Sequence, residues 1–406
     1  MENQQDVIST MLSLAAVTYR GINLIAPEPR KSLRLRALME ECIGRISVLE
    51  NKWKIVWGPA SFSAASPGLD DAAMYVAECV DNPSKLVIAI RGTNPLSIQD
   101  WIFGDLMVSH QVDWPYGDPA ATEGSKISAS SAYGLGILQH LRWNATATGV
   151  APSAAALEPP AQSNSLEDLI HTVRLRLSSL AAAATGQTFE AQVKELGAAK
   201  NFDPLALLKQ TDADAGAGIS LKQFLRSRAA AKLDVSVTGH SKGGALCSTV
   251  ALWLADTQGA QTQASEEWDR NRNATIQYYS FAGPTAGNDV FAKHSDAVLN
   301  KNCCRVWNDH DIVPRAFLPD KLKEISALYE LKGLEEKVVA ELVDRVSKDV
   351  KDLNYRQVCG TSTELKCQLI PSTPFPLQII HQHLDSYLQH YGLDDISAAT
   401  LLAPVV

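Results

Sequence analysis

Residues 233–253 read LDVSVTGHSKGGALCSTVALW. The β-branched residues Val235 and Val237 mark a strand that stops at Gly239-His240-Ser241-Lys242-Gly243. A run of small, helix-compatible residues follows. Strand, glycine-flanked serine and helix in that order form an elbow that presents a nucleophilic serine. The glycines have a steric purpose. A serine forced into so tight a turn needs neighbours without a Cβ, or the helix collides with the strand. The turn lifts the Ser241 hydroxyl off the sheet. It also aims the Lys242 N–H and the start of the helix at the place where an oxyanion would form. The bare G-x-S-x-G pattern is common; the strand before it and the helix after it give it weight.

Working outward, strand-like runs occur at 53–57, 72–80 and 86–90, the last two separated by the turn Asp81-Asn82-Pro83-Ser84. Lys85-Leu86-Val87-Ile88-Ala89-Ile90 is nearly all apolar, as a central strand covered on both faces should be. It runs into Arg91-Gly92-Thr93. Downstream, Thr275–Phe281 ends in Ala282-Gly283-Pro284, and Cys304–Trp307 ends in Asn308-Asp309-His310-Asp311. Further strands are expected at 355–358 and 366–370. Helical spacing predicts helices at 6–20, 33–50, 127–142 and 220–231. Strands alternating with helices, with polar residues just past the strand ends, give an α/β chain with a mostly parallel central sheet flanked by helices, its site at the carboxyl edge.

Two stretches read as insertions. Residues 143–165 are rich in Ala, Pro, Ser and Thr and lead to helical patterns at 166–184 and 187–198, so 143–219 is expected to be a helical and loop insertion. Residues 320–354 are charged and helical, a second one. The chain of 406 residues is otherwise expected to be a single domain, 1–406.

A serine nucleophile needs a base, and the base an orienting carboxylate. Asn308–Pro314 offers Asp309 and Asp311; the flanking Ile312-Val313-Pro314 would bury one against the sheet edge, and Asp311 is the choice. The base comes from His381, His383 or His390; His383 opens a helix-like run and is preferred over His381. His240 points away from the nucleophile by elbow geometry and is read as packing. Gly92 permits a sharp turn, and Thr93 can supply the second oxyanion N–H beside that of Lys242. Residues 96–108 carry an apolar face at helical spacing, which fits either a helix packed on the core or a lid over the serine. This chemistry requires no metal and no organic cofactor.

The net charge of −8 and the absence of a basic stripe speak against nucleic acid as a partner. No run of about 18 apolar residues is present, so no transmembrane segment is expected. The N-terminal MENQQDVIST lacks a signal-peptide pattern, which points to a cytoplasmic protein or one exported without a cleavable signal. Seven scattered cysteines read as reduced thiols, with Cys359 and Cys367 as a candidate pair across a hairpin.

Four blocks, in order, resemble the class 3 lipases: Ile90–Thr93 with Asp100-Trp101; Gly239–Leu246; Phe281–Pro284 with Gly287-Asn288; and Asn308–Pro314. The pair His383 and Tyr387 is similar to that family's histidine followed closely by tyrosine. The resemblance covers about half of the chain, 52–108, 220–318 and 370–392. It implies an α/β-hydrolase fold, Ser241 as nucleophile, Asp311 as acid, His383 as base, and Thr93 and Lys242 as oxyanion donors. It also implies a lipid or small ester substrate, with a lipid interface as one place to meet it, and hydrolysis through an acyl-enzyme. A phospholipase on membrane glycerophospholipids is the alternative in the same chemistry, and a non-catalytic binding protein on the same fold is the alternative outside it.

Overall fold

The computed structural model describes residues 3–22, 24, 30–62, 72–93, 106–144, 218–259, 267–299, 302–329, 331–360 and 362–403. Seven strands form the main sheet: β1 (Trp53–Phe62), β2 (Ala72–Cys79), β3 (Lys85–Ile90), β4 (Asp234–His240), β5 (Thr275–Phe281), β6 (Cys303–Asn308) and β7 (Ser362–Leu365). Their spatial order is their chain order. β1, β2 and β3 pair antiparallel, whereas β3 through β7 run parallel. The registers Ile90↔Gly239, Gly239↔Ser280 and Val306↔Phe281 bring the carboxyl ends of β3, β4, β5 and β6 to one edge. Arg91-Gly92-Thr93, Ser241, Ala282 and the Asp309–Asp311 loop therefore leave the sheet side by side.

Helices cover both faces, which is why the central strands are apolar throughout. On one face lie α1 (Gln4–Val17) and α2 (Arg30–Arg45); on the other, α3 (Ala129–His140) and, after α4 (Leu221–Arg228), α5 (Lys242–Asp256) and α6 (Asp289–Leu299). Asn3 caps α1, its side chain accepting from the Gln5 N–H. Ser220 and Gln223 close a capping box on α4. Helix α1 is pinned to the sheet by polar bonds as well as by its apolar stripe. The Thr238 hydroxyl donates to the Met11 carbonyl (3.0 Å) and the Tyr75 hydroxyl to that of Leu14 (2.7 Å). This places the end of α1, Thr18 and Tyr19, beneath the strand ends of the site.

The second expected insertion is helical, with α7 (Leu334–Val350) as its main element. Val339, Val343, Val346 and Val350 form one helical stripe, buried with Ile312, Val313 and Phe317 of the acid loop in a separate apolar cluster. Residues 145–217 of the first insertion and 96–105 of the expected lid fall outside the described residues; Leu106–Ser109 is a 3₁₀ turn.

Three expectations at the C-terminal side need correction. The last strand is Ser362–Leu365, not 366–370. Apolar alternation runs on through Leu365, Cys367 and Leu369, so the pattern does not mark its own end. Pairing does, because Asn308↔Leu365 is the last pair with β6. That pairing is parallel, so no hairpin brings Cys359 to Cys367. All seven cysteines are free thiols, and Cys359 instead lies against Cys303. The 355–358 strand shortens to Tyr355–Arg356, paired with Gly287–Asn288. The C-terminal helices are α8 (Phe375–Ile380), a π-turn at His381–Asp385, α9 (Ser386–His390) and α10 (Ala398–Leu402).

Candidate active site

Ser241 sits between β4 and α5 with φ 61° and ψ −131°, a left-handed conformation that L-residues avoid. Such strain persists only where neighbours enforce it. Here they do. A Cβ on Gly239 would strike the backbone of Gly243, one on Gly243 would strike the end of β3, and one on Gly244 would lie 2.9 Å from Gly283 Cα. The Ser241 N–H donates to the Phe281 carbonyl (3.0 Å), fixing the elbow to β5. Lys242 is the first residue of α5, a position whose N–H points out of the helix end.

Asp311 is buried in the loop after β6. Its Oδ1 accepts from the Val313 N–H (3.0 Å), and its Oδ2 from the Tyr387 hydroxyl (2.8 Å), which in turn accepts from the Asn308 N–H (2.8 Å). Ile312, Val313 and Pro314 are buried beside it, as their apolar character requires. Asp309 turns elsewhere: it takes the Cys367 N–H and lies 3.0 Å from His310 Nδ1.

The structure brings His383 to Asp311. Its Nδ1 lies 2.8 and 3.0 Å from the two carboxylate oxygens, so Nδ1 carries the proton and Nε2 is the basic nitrogen. His381, by contrast, has Asp385 at 4.0 Å as its nearest acid, and His390 packs on Tyr391. His383 stands in the π-turn, and its ring centroid is 4.6 Å from that of His240, the residue before Ser241.

Three polar atoms here are fully buried without a hydrogen-bond partner among the described residues: Ser241 Oγ, His383 Nε2 and Thr93 Oγ1. Gly92 is tight against the elbow; a Cβ there would lie 2.9 Å from Ser241 Cβ. A narrow crevice beside Lys242, with room for about one water molecule, is lined by Val108, Ser131, Leu246, Pro284 and Phe317 among others. Among the described residues no group of three or more His, Cys, Asp or Glu is placed to hold a metal ion, and no helix is long and apolar enough to cross a membrane.

His240 is packed, as its place in the elbow implies, yet it is also fully hydrogen-bonded. Tyr19 and Gln382 belong to the same buried polar group and carried no signal in the sequence. Tyr19 meets His240 across 221 positions of chain. Gln382 accepts from Asn308 Nδ2 at 2.8 Å through both its carbonyl and its side chain.

Residues 176–321 match the family model described as lipase (class 3). The match contains Ser241 and Asp311, leaves Thr93 and His383 outside, and begins within the stretch expected to be inserted. M37 lipase, a solved structure, superposes with a TM-score of 0.70 at 27% identity, covering 100% of both chains. Lipase II from Rhizopus niveus aligns over 78% of this chain and 76% of its own at 16% identity and a TM-score of 0.38. The lipase-like PAD4 of Arabidopsis thaliana is 33% identical over 99 residues, 24% of this chain and 16% of that protein. The fold is that of the α/β-hydrolases.

Proposed function

We propose that this chain is a class 3 lipase, a serine hydrolase of lipid acyl esters that works through Ser241, His383 and Asp311. One observation carries the reading. A buried carboxylate orients a buried imidazole whose second nitrogen, together with the hydroxyl of a strained elbow serine, has no hydrogen-bond partner among the described residues at the carboxyl edge of the sheet.

In this mechanism the Ser241 hydroxyl attacks the ester carbonyl while His383 Nε2 takes its proton. The N–H groups of Thr93 and Lys242 receive the oxyanion, each contributing about 3 kcal/mol. The alcohol leaves with the proton from Nε2. Water then attacks the acyl-enzyme by the same route, returning the acid and free Ser241. Asp311 stays ionised throughout; it holds the tautomer and stabilises the imidazolium.

The test is hydrolysis of p-nitrophenyl esters from acetate to palmitate by wild type and Ser241→Ala. The variant is expected to lose at least ~10⁴-fold in kcat. An optimum at long chains supports the lipase reading over a small-ester esterase. Equal rates for variant and wild type would end the assignment.

A further inference from the structure

The base of the proposed triad is held at two points, and only one of them is Asp311. The second is the backbone carbonyl of His383, 2.6 Å from His240 Nε2. A carbonyl only accepts, so His240 Nε2 carries a proton. His240 is buried and neutral, since burial first, and then the nearby His383, hold its pKa well below the usual value. Its Nδ1 is therefore bare and accepts the proton of the Tyr19 hydroxyl at 2.8 Å. The tautomer of His240 is thus fixed from both sides.

We propose that Tyr19 and His240 are positioning residues for His383: the phenol holds His240 in its Nε2–H form, and that N–H clamps the His383 backbone. The proposal rests on the triad reading above and assigns work to a residue that the family match, 176–321, does not reach. The clamp acts where the helix is irregular. In the π-turn at His381–Asp385 the backbone ladder slips by one residue, a rare local departure that recurs at functional sites. The tilted contact of the two imidazoles (interplanar angle 54°) and the edge of the Tyr19 ring on His240 (centroids 5.7 Å apart) restrict the same rings laterally. The segment that carries Tyr19 is itself tied down. Helix α1 is bonded to the sheet at Met11 and Leu14, and Arg91 Nε donates to the Thr18 carbonyl. The hydroxyl also sits against the Cα of Gly92, on the strand end that supplies Thr93. One phenol thereby touches both the base's support and the oxyanion strand.

The experiment compares wild type, Tyr19→Phe, His240→Gln, His240→Met and the Tyr19→Phe/His240→Met double variant. Each is assayed for kcat and KM on a soluble short-chain ester, with thermal unfolding run alongside. Tyr19→Phe is expected to lower kcat about 10- to 100-fold, the scale of a misplaced catalytic group, with KM unchanged. It is also expected to move the far-downfield imidazole N–H resonance of His383. His240→Gln keeps an N–H near the carbonyl and should retain more activity than His240→Met. In the His240→Met background, Tyr19→Phe should cost nothing further, because Tyr19 acts through His240. Wild-type kcat in Tyr19→Phe overturns the proposal. So does an equal fold-loss in both backgrounds, which would mean that the phenol acts on the neighbouring Ser241 or on packing and not through His240. A fluorophosphonate probe separates this from the triad reading: no labelling of wild-type Ser241 fails both, whereas a labelled enzyme with an indifferent Tyr19→Phe fails only the positioning role.

Discussion

The Ser241 elbow and the His383 turn meet at one edge of the sheet, yet their shapes are enforced differently. The elbow is built from neighbours in the chain: strand β4, helix α5, and glycines at 239, 243 and 244 whose missing Cβ atoms let the strand and helix close up. The His383 turn is built from strangers. Asp311, Asn308 and His240 hold it from other elements, and Tyr19 supports it across the whole fold. A residue of the candidate site can therefore be placed by local sterics or by a distributed set of hydrogen bonds. The two kinds of placement should fail differently when altered.

Gly243→Ala is the most damaging change expected. Its Cβ would collide with the Ile90 carbonyl and lie 3.1 Å from Arg91, both of them backbone, so nothing flexible can yield. A loss of about 1–3 kcal/mol or more in unfolding free energy is expected, with hydrolytic activity near background. Gly44 in α2 is the control, since nothing lies within 4 Å of its Cβ position. Gly44→Ala should be neutral or stabilise by about 0.5–1 kcal/mol. Urea unfolding of the pair checks both. Comparable effects at the two sites would mean that the elbow is not sterically fixed.

The same contrast explains what the sequence made legible. The elbow, the apolar central strands and the acid loop were readable because their signals are local: glycine spacing, β-branched runs, Ile312-Val313-Pro314. Asp311 could be preferred over Asp309 on its neighbours alone. His383 and His381 could not be separated so firmly, since what distinguishes them is which one lies beside Asp311, 72 positions away. Tyr19 was invisible for the same reason. A tyrosine at the end of an apolar helix has no local feature that marks it as part of a polar group. The misplaced strand at 366–370 shows a third limit. Alternation survives past the point where the partner strand ends, so only pairing defines the boundary.

Tyr387→Phe tests the distributed side with one atom. The variant leaves the buried Asn308 N–H without its acceptor and Asp311 without one donor. About 1–3 kcal/mol of stability should be lost. A kcat lower by roughly tenfold corresponds to about 1.4 kcal/mol at the transition state. Thermal unfolding and ester hydrolysis measure the two. A stability loss with kcat unchanged would assign Tyr387 to the fold alone and leave the His383 turn dependent on Asp311 and His240.

The smallest expected effect is on the pH dependence of stability, and it bears on His240. Burial, then the neighbouring His383, holds this imidazole well below its ordinary value of 6.5, against its own bond to the His383 carbonyl, which raises it. The unfolded chain takes up a proton near pH 6.5, whereas the folded protein does so only at lower pH. Between those points the unfolded state binds more protons, so stability falls as the pH falls; above 6.5 the contribution is fully present. His381 is lowered by burial as well and adds a slope of the same sign, whereas burial raises Asp385, which bends the profile the other way. His240→Gln has no proton to gain at that position. Its unfolding temperature should therefore fall less steeply than wild type's on acidification from about pH 8, leaving the His381 share of the slope in place. The height of the curve reports packing and shifts with any substitution there, whereas the slope reports proton uptake alone. An unchanged slope would mean that His240 takes up its proton in the folded protein at the same pH as in the unfolded chain, and so is protonated below about pH 6.5. A protonated imidazole has no lone pair at Nδ1 for the Tyr19 hydroxyl, so the clamp on the His383 turn would lose its outer anchor.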